Sequence, residues 1–124
     1  MFALKVNSVP SLDDWGTVAN LGSTILEGDG KASGLFTIGA PEAPLGAAYF
    51  AVSKSKFRMV YPFTEHALVV EGEATLTNET TGEAVTFKAG DGWTVEKGTP
   101  VLWDVKSPPF RKTLYGRRLI VRGS

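Results

Sequence analysis

Along the chain, apolar and polar residues trade places at short intervals, and no apolar stripe recurs at helical spacing for more than a single turn. The best helical candidate is one turn at Ser11-Leu12-Asp13-Asp14-Trp15, with Ser11 placed to cap it. From Ser23 onward the pattern predicts strand after strand. Ser23 to Glu27 is stopped by Gly28-Asp29-Gly30, and Gly34 to Ile38 by the cluster from Gly39 to Pro44. Ala47 to Ser53, Lys56 to Tyr61 and His66 to Val70 follow, then Glu73 to Asn78 and Glu83 to Lys88, joined by a hairpin turn at Thr81-Gly82.

Alternation at period two assigns faces within these strands. Val85 and Phe87 share a face, as do Trp93 and Val95, and again Val101, Trp103 and Val105. Gly72 and Gly90-Asp91-Gly92 are expected to supply the positive φ of tight turns. Roughly ten short strands at this spacing argue for an all-β sandwich or barrel. The expected organisation is one domain: an N-terminal arm over 1–22, a barrel over 23–116, and a C-terminal edge strand or tail over 117–124.

Composition narrows the chemistry. With 124 residues the chain suits one core, and its 43% apolar content is ordinary for a globular protein. Thirteen basic and 13 acidic side chains cancel, so no global field favours nucleic acid or anionic lipid. No apolar run approaches the roughly 18 residues of a membrane span, and the N-terminal stretch does not read as a secretory signal. Zero cysteines rule out disulfides, thiolate nucleophiles and cysteine–zinc sites, and accord with a cytoplasmic protein. A single histidine, His66, excludes multi-histidine metal sites within one chain, and no GxSxG elbow presents a serine to it.

The stretch from Phe57 to Trp103 resembles the cupin superfamily. The residues that carry this are Phe57-Arg58-Met59-Val60-Tyr61, the run from Glu65 to Glu73, the run from Val85 to Gly92, then Gly98 and Trp103. More narrowly it is similar to the (S)-ureidoglycine aminohydrolase-type cupin domain, a likeness that extends through Pro109 to Tyr115 with its basic pair Arg111-Lys112. The resemblance implies a double-stranded β-helix, or jelly roll, whose alternate residues point into a common cup. It also implies a place for a metal, held by His-x-His, a Glu and a distant His. The matching positions here are Met59, Tyr61, Glu65 and Val101. Only Glu65 keeps an ordinary ligand chemistry, so neither a metal nor another cofactor is expected.

Within the implied cup, Met59, Tyr61, Glu65, Val101 and Trp103 are the candidate ligand-binding residues. Glu65 is either a general base or ligand anchor, or a carboxylate satisfied by Tyr61 or a nearby Arg or Lys in a structural role. His66, next to Glu65, falls on the opposite strand face and is expected outside. Trp93 and Trp103 are either core or an aromatic wall for a planar ligand. Lys106, Arg111, Lys112, Arg117, Arg118 and Arg122 form a basic stretch without an acid, which could meet an anionic substrate or a nucleic-acid backbone but more commonly is a solvated edge, the reading taken here. The expected function is metal-free binding of a small polar metabolite, by analogy a carboxylic acid or ureide, in a homodimer without nucleic-acid or membrane partners. The alternatives are an enzyme of the aminohydrolase or isomerase kind with Glu65 as base, and a structural or regulatory module with a filled barrel.

Overall fold

The computed structural model describes residues 1–5 and 7–117. The expected strand or tail over 117–124, with Arg118 and Arg122, lies almost entirely outside the described residues. The described chain is nearly all β, and none of its helices is long and apolar enough to cross a membrane. Strand β1 (Asp13–Thr17) leads through a 3₁₀ turn (Val18–Leu21) to β2 (Thr24–Gly28), β3 (Lys31–Ile38), β4 (Leu45–Val52) and β5 (Ser55–Val60). Then come β6 (Thr64–Asn78), β7 (Ala84–Lys88), β8 (Gly92–Val95) and β9 (Pro100–Arg117).

All pairings are antiparallel, and they form two sheets that share two strands. One sheet runs β1-β3-β4-β9-β6-β8, using the C-terminal half of β9 and the N-terminal half of β6. The other runs β2-β5-β9-β6-β7, using the opposite halves of the same two strands. This is the jelly-roll barrel that the alternating pattern and the family likeness led us to expect, with its core between the sheets.

β6 and β9 can serve both sheets because each changes side-chain parity part-way. On β6, Glu65, Ala67 and Val69 face inward, and then Ala74 and Leu76 do. The switch occurs at register shifts between Val69 and Ala74, around Gly72 at φ +83°. An extra residue in one strand of a pair reverses the faces that follow it. Gly72 therefore does not end a strand, as the sequence suggested; it kinks one continuous strand. On β9 the inward set is Val101, Trp103 and Val105, then Phe110 and Lys112, with exposed residues from Lys106 to Pro109 between.

The core centres on Trp103. Its ring stacks on Phe57 at 5.3 Å and meets Trp93 and Phe110 edge-on, each at 5.6 Å. Full burial of an aromatic such as Phe57 or Phe110 contributes roughly 1.5–3 kcal/mol. Two N-terminal expectations need correction. Ser11 to Trp15 does not form a helical turn; β1 begins at Asp13 and pairs with β3, and the 3₁₀ turn comes later. Nor is the whole of 1–22 an arm, because Val18 is a core residue and Trp15 packs on Phe36 at 5.3 Å. Isolated helix signals of one turn are weak, and sheet pairing overrides them.

A side chain at position 72 would strain the positive φ, and its Cβ would stand 2.6 Å from the Ser107 carbonyl oxygen and against that of Pro109. Gly72→Ala should therefore lower unfolding stability by about 1–3 kcal/mol in urea titrations. An unchanged midpoint would show that the kink is not needed.

Candidate functional site

Glu65 enters the interior by the alternation of β6, and its position two residues before Ala67 places it among apolar neighbours. It is only 2% exposed. A carboxylate there must find donors or neutralise, and Glu65 finds four contacts from three residues. Tyr61 Oη donates to Oε1 at 2.9 Å, and so does Trp93 Nε1 at 2.9 Å. Lys112 Nζ reaches Oε1 at 3.0 Å and Oε2 at 2.8 Å.

Lys112 is itself 3% exposed. Its Nζ lies 5.3 Å from the Phe50 ring centroid, 5.1 Å from Trp93 and 5.0 Å from Trp103. Within about 6 Å the faces of such rings attract a cation, so the ammonium sits between a carboxylate and an aromatic cage. Burial pulls the Lys112 ammonium below its usual range, while the Glu65 charge and hydrogen bonds act the other way. The Tyr61 phenol is driven well above its ordinary value, first by burial and then by the Glu65 charge. The indole N–H groups of Trp93 and Trp103 oppose that shift in part, which places both beside the phenol oxygen. Even so, Trp103 Nε1 meets no acceptor in hydrogen-bond geometry. Among the described residues it and Tyr49 Oη are the buried side-chain polar atoms without a partner.

Tyr61, Glu65, Val101 and Trp103 are all buried, and Met59 packs half-buried against the same core. Met59 and Val101 sit opposite each other on β5 and β9, and neither takes part in the polar contacts around Glu65. His66 is exposed, its Cα partners being Thr94 and Tyr115. Lys112 corrects the view of the basic stretch as solvated edge. Carrying the parity of Val101, Trp103 and Val105 forward puts position 112 outside; the parity change after Lys106 brings it in. Phe110, apolar and two residues earlier on the same face, was the signal that could have found it. Arg111, by the same logic, faces out and pairs with Glu71 at 2.8 Å.

The positions that would carry a metal do not suit one. Val101 has no donor, the Tyr61 phenol resists ionisation, and Glu65 is already engaged by Lys112, Tyr61 and Trp93. Among the described residues no three His, Cys, Asp or Glu side chains converge. Two clefts lie elsewhere: one of about 790 Å³ walled by Pro10, Ser33, Ser53 and Arg111, another of about 420 Å³ by Asn7, Tyr49, Leu68 and Thr113. Neither touches the Glu65 cluster.

A family model described as the EutQ-like cupin domain matches residues 40–114. The chain belongs to the EutQ-like cupin family. The match does not single out the aminohydrolase-type branch. Among solved structures, an ethanolamine utilization protein Q from Salmonella typhimurium LT2 is 18% identical, with 89% of this cupin and 96% of that chain covered and a TM-score of 0.59. The EutQ protein of Clostridium difficile is also 18% identical, covering 71% and 68% at a TM-score of 0.56. KdgF from a Halomonas species is 16% identical, covering 71% and 82% at 0.57. At these identities the likeness shows the fold alone. A search of curated proteins by sequence gives no match.

Breaking a buried pair leaves one charge uncompensated, whereas replacing both partners can be nearly neutral. In this cupin Glu65→Gln should cost about 3–5 kcal/mol of unfolding stability, and the double variant Glu65→Gln/Lys112→Met should recover most of it. Denaturant unfolding of the two variants decides; additive losses would show that the two side chains do not act as a pair.

Proposed function

We propose that this cupin binds a small polar molecule inside its barrel without a metal ion. Tyr61, Glu65, Trp93, Trp103 and Lys112 would form the polar end of the site, and Met59 and Val101 an apolar wall. The observation that carries the reading is the Trp103 Nε1 donor, buried and without a hydrogen-bond partner in the interior that also holds the Glu65–Lys112 pair. Buried polar groups are nearly always satisfied, and an exception in a protein interior asks for an explanation such as a ligand. The ammonium of Lys112 stands against Glu65 in the role that a metal cation has in other cupins, so the carboxylate needs no ion.

The specific observation favouring a filled structural barrel is the packing of Phe50, Phe57, Trp93 and Phe110 around Trp103. Against Glu65 as a general base stands its engagement by three neighbouring residues, which leaves it poorly placed to take a further proton. The narrower aminohydrolase likeness enters only as a source of candidate ligands, ureides among them. Absence of cysteine supports a cytoplasmic setting.

Elemental analysis of protein purified without added metal should find no stoichiometric manganese, iron, zinc or nickel; such a metal retained through a chelator wash overturns the reading. In a thermal-shift screen of small carboxylic acids, amides and ureides, compounds that raise the melting temperature of wild type should bind Trp103→Phe about three- to tenfold more weakly, the loss of one hydrogen bond. Stabilisers that act equally on both proteins would place binding elsewhere.

We also propose a homodimer through the outer face that carries His66 and Leu68, the latter 49% exposed. Two-fold pairing is the commonest symmetry of soluble oligomers. Light scattering should give twice the chain mass; a particle of 13.3 kDa at micromolar concentration removes the idea.

A further inference from the structure

We propose a second binding site, on the outside of the barrel, that takes a small organic monocarboxylate with a hydrocarbon tail. It is the cleft of about 420 Å³ between the N-terminal residues and the outer face of β4, β9 and β6. Small-molecule sites span roughly 300–1,000 Å³. Strand parity assembles its floor. Phe50 and Lys112 face the barrel interior, so their neighbours Tyr49 and Thr113 face out. Tyr49 pairs with Thr113 across β4 and β9, and Thr113 with Leu68 across β9 and β6, which sets the three in one row. Tyr49 is nonetheless only 1% exposed, and it stands apart from the apolar cluster around Trp103. The N-terminal residues cover it: Phe2 meets its ring edge-on at 6.3 Å, and Lys5 and Asn7 wall the same cleft. Under that cover Tyr49 Oη has no hydrogen-bond partner. A buried hydroxyl is rarely left so, and here open space adjoins the residue that carries it.

The walls set the ligand class. Among the described residues that line the cleft, Lys5 carries the one charge and none is acidic. The acid nearest in sequence to its Gly90 wall, Asp91, has its carboxylate engaged by the Lys88 backbone N–H at 3.0 Å. One ammonium matches one negative charge, where a phosphate monoester would bring nearly two. Tyr49 Oη would donate to a carboxylate oxygen, a charge-assisted bond stronger than a neutral one. The Thr113 hydroxyl and the Asn7 amide offer further donors. Leu68 and Val70 stand on the outer face of β6 and give the tail an apolar wall.

Isovalerate and isovaleramide share a shape and differ in charge, so the pair tests both site and class. In calorimetric titration, isovalerate should bind wild type saturably and about fivefold or more tightly than isovaleramide. Tyr49→Phe removes only an unpartnered hydroxyl, so it should fold as well as wild type, and it should bind isovalerate about tenfold more weakly. Lys5→Met should weaken isovalerate about two- to fivefold and leave isovaleramide unchanged. Leu68 also belongs to the proposed dimer face, so all titrations use one protein concentration with the oligomeric state measured in each. No saturable heat from wild type, as a cleft holding only water would give, overturns the site. So does isovalerate binding that Tyr49→Phe and Lys5→Met leave unchanged, or that Trp103→Phe abolishes while they do not, which would put the acid inside the barrel. Isovaleramide binding as tightly as isovalerate overturns the carboxylate class.

Discussion

Glu65 and Lys112 meet in the barrel interior, where neither side chain could keep its charge alone. Each removes the reason for the other's cost, and the surrounding groups are arranged around that exchange. Tyr61 and Trp93 complete the carboxylate's hydrogen bonding, while Phe50, Trp93 and Trp103 hold the ammonium by their faces. Replacing a buried ion pair by apolar residues of similar volume is often neutral or stabilising. Under the proposed binding role the pair keeps this interior polar, and the indole N–H of Trp103 lies within it without a partner.

The pair depends in turn on a geometrical device. Lys112 reaches Glu65 only because β9 changes parity between Val105 and Phe110, and β6 makes the matching change at Gly72. Without both, the inner faces of the two sheets would not be fed by the same strands. The polar cluster is thus a product of the way the barrel closes, and not a decoration added to a finished scaffold.

This also explains what could be read from the residues and what could not. Strand positions follow from local alternation and the spacing of glycines, and the inward set of Tyr61, Glu65, Val101 and Trp103 from the family resemblance taken together with that alternation. A β-bulge leaves no comparable mark: Gly72 and the Pro108-Pro109 pair look like ordinary strand ends, so one long strand was read as two. Lys112 was read as solvated together with the other cations of its basic stretch, and it is the parity change after Lys106 that brings it inside. The N-terminal strand was missed for a different reason. Asp13 and Asp14 have little intrinsic liking for a sheet, and only pairing with Gly34 and Ser33 makes them part of one.

Because β6 and β9 each belong to both sheets, neither sheet is whole without them. The barrel has no half that could persist while the other melts, so loss of order should be all-or-none. The pairing of Leu45 with Arg117 and of Thr64 with the same residue joins points far apart in sequence. Such non-local closure is entropically costly before it is rewarded, and chains dominated by it fold slowly. Until β9 arrives, β4 and β5 present open edges, and a chain emerging from synthesis carries two unfinished sheets. Its exposure to aggregation therefore ends only when its last long strand docks.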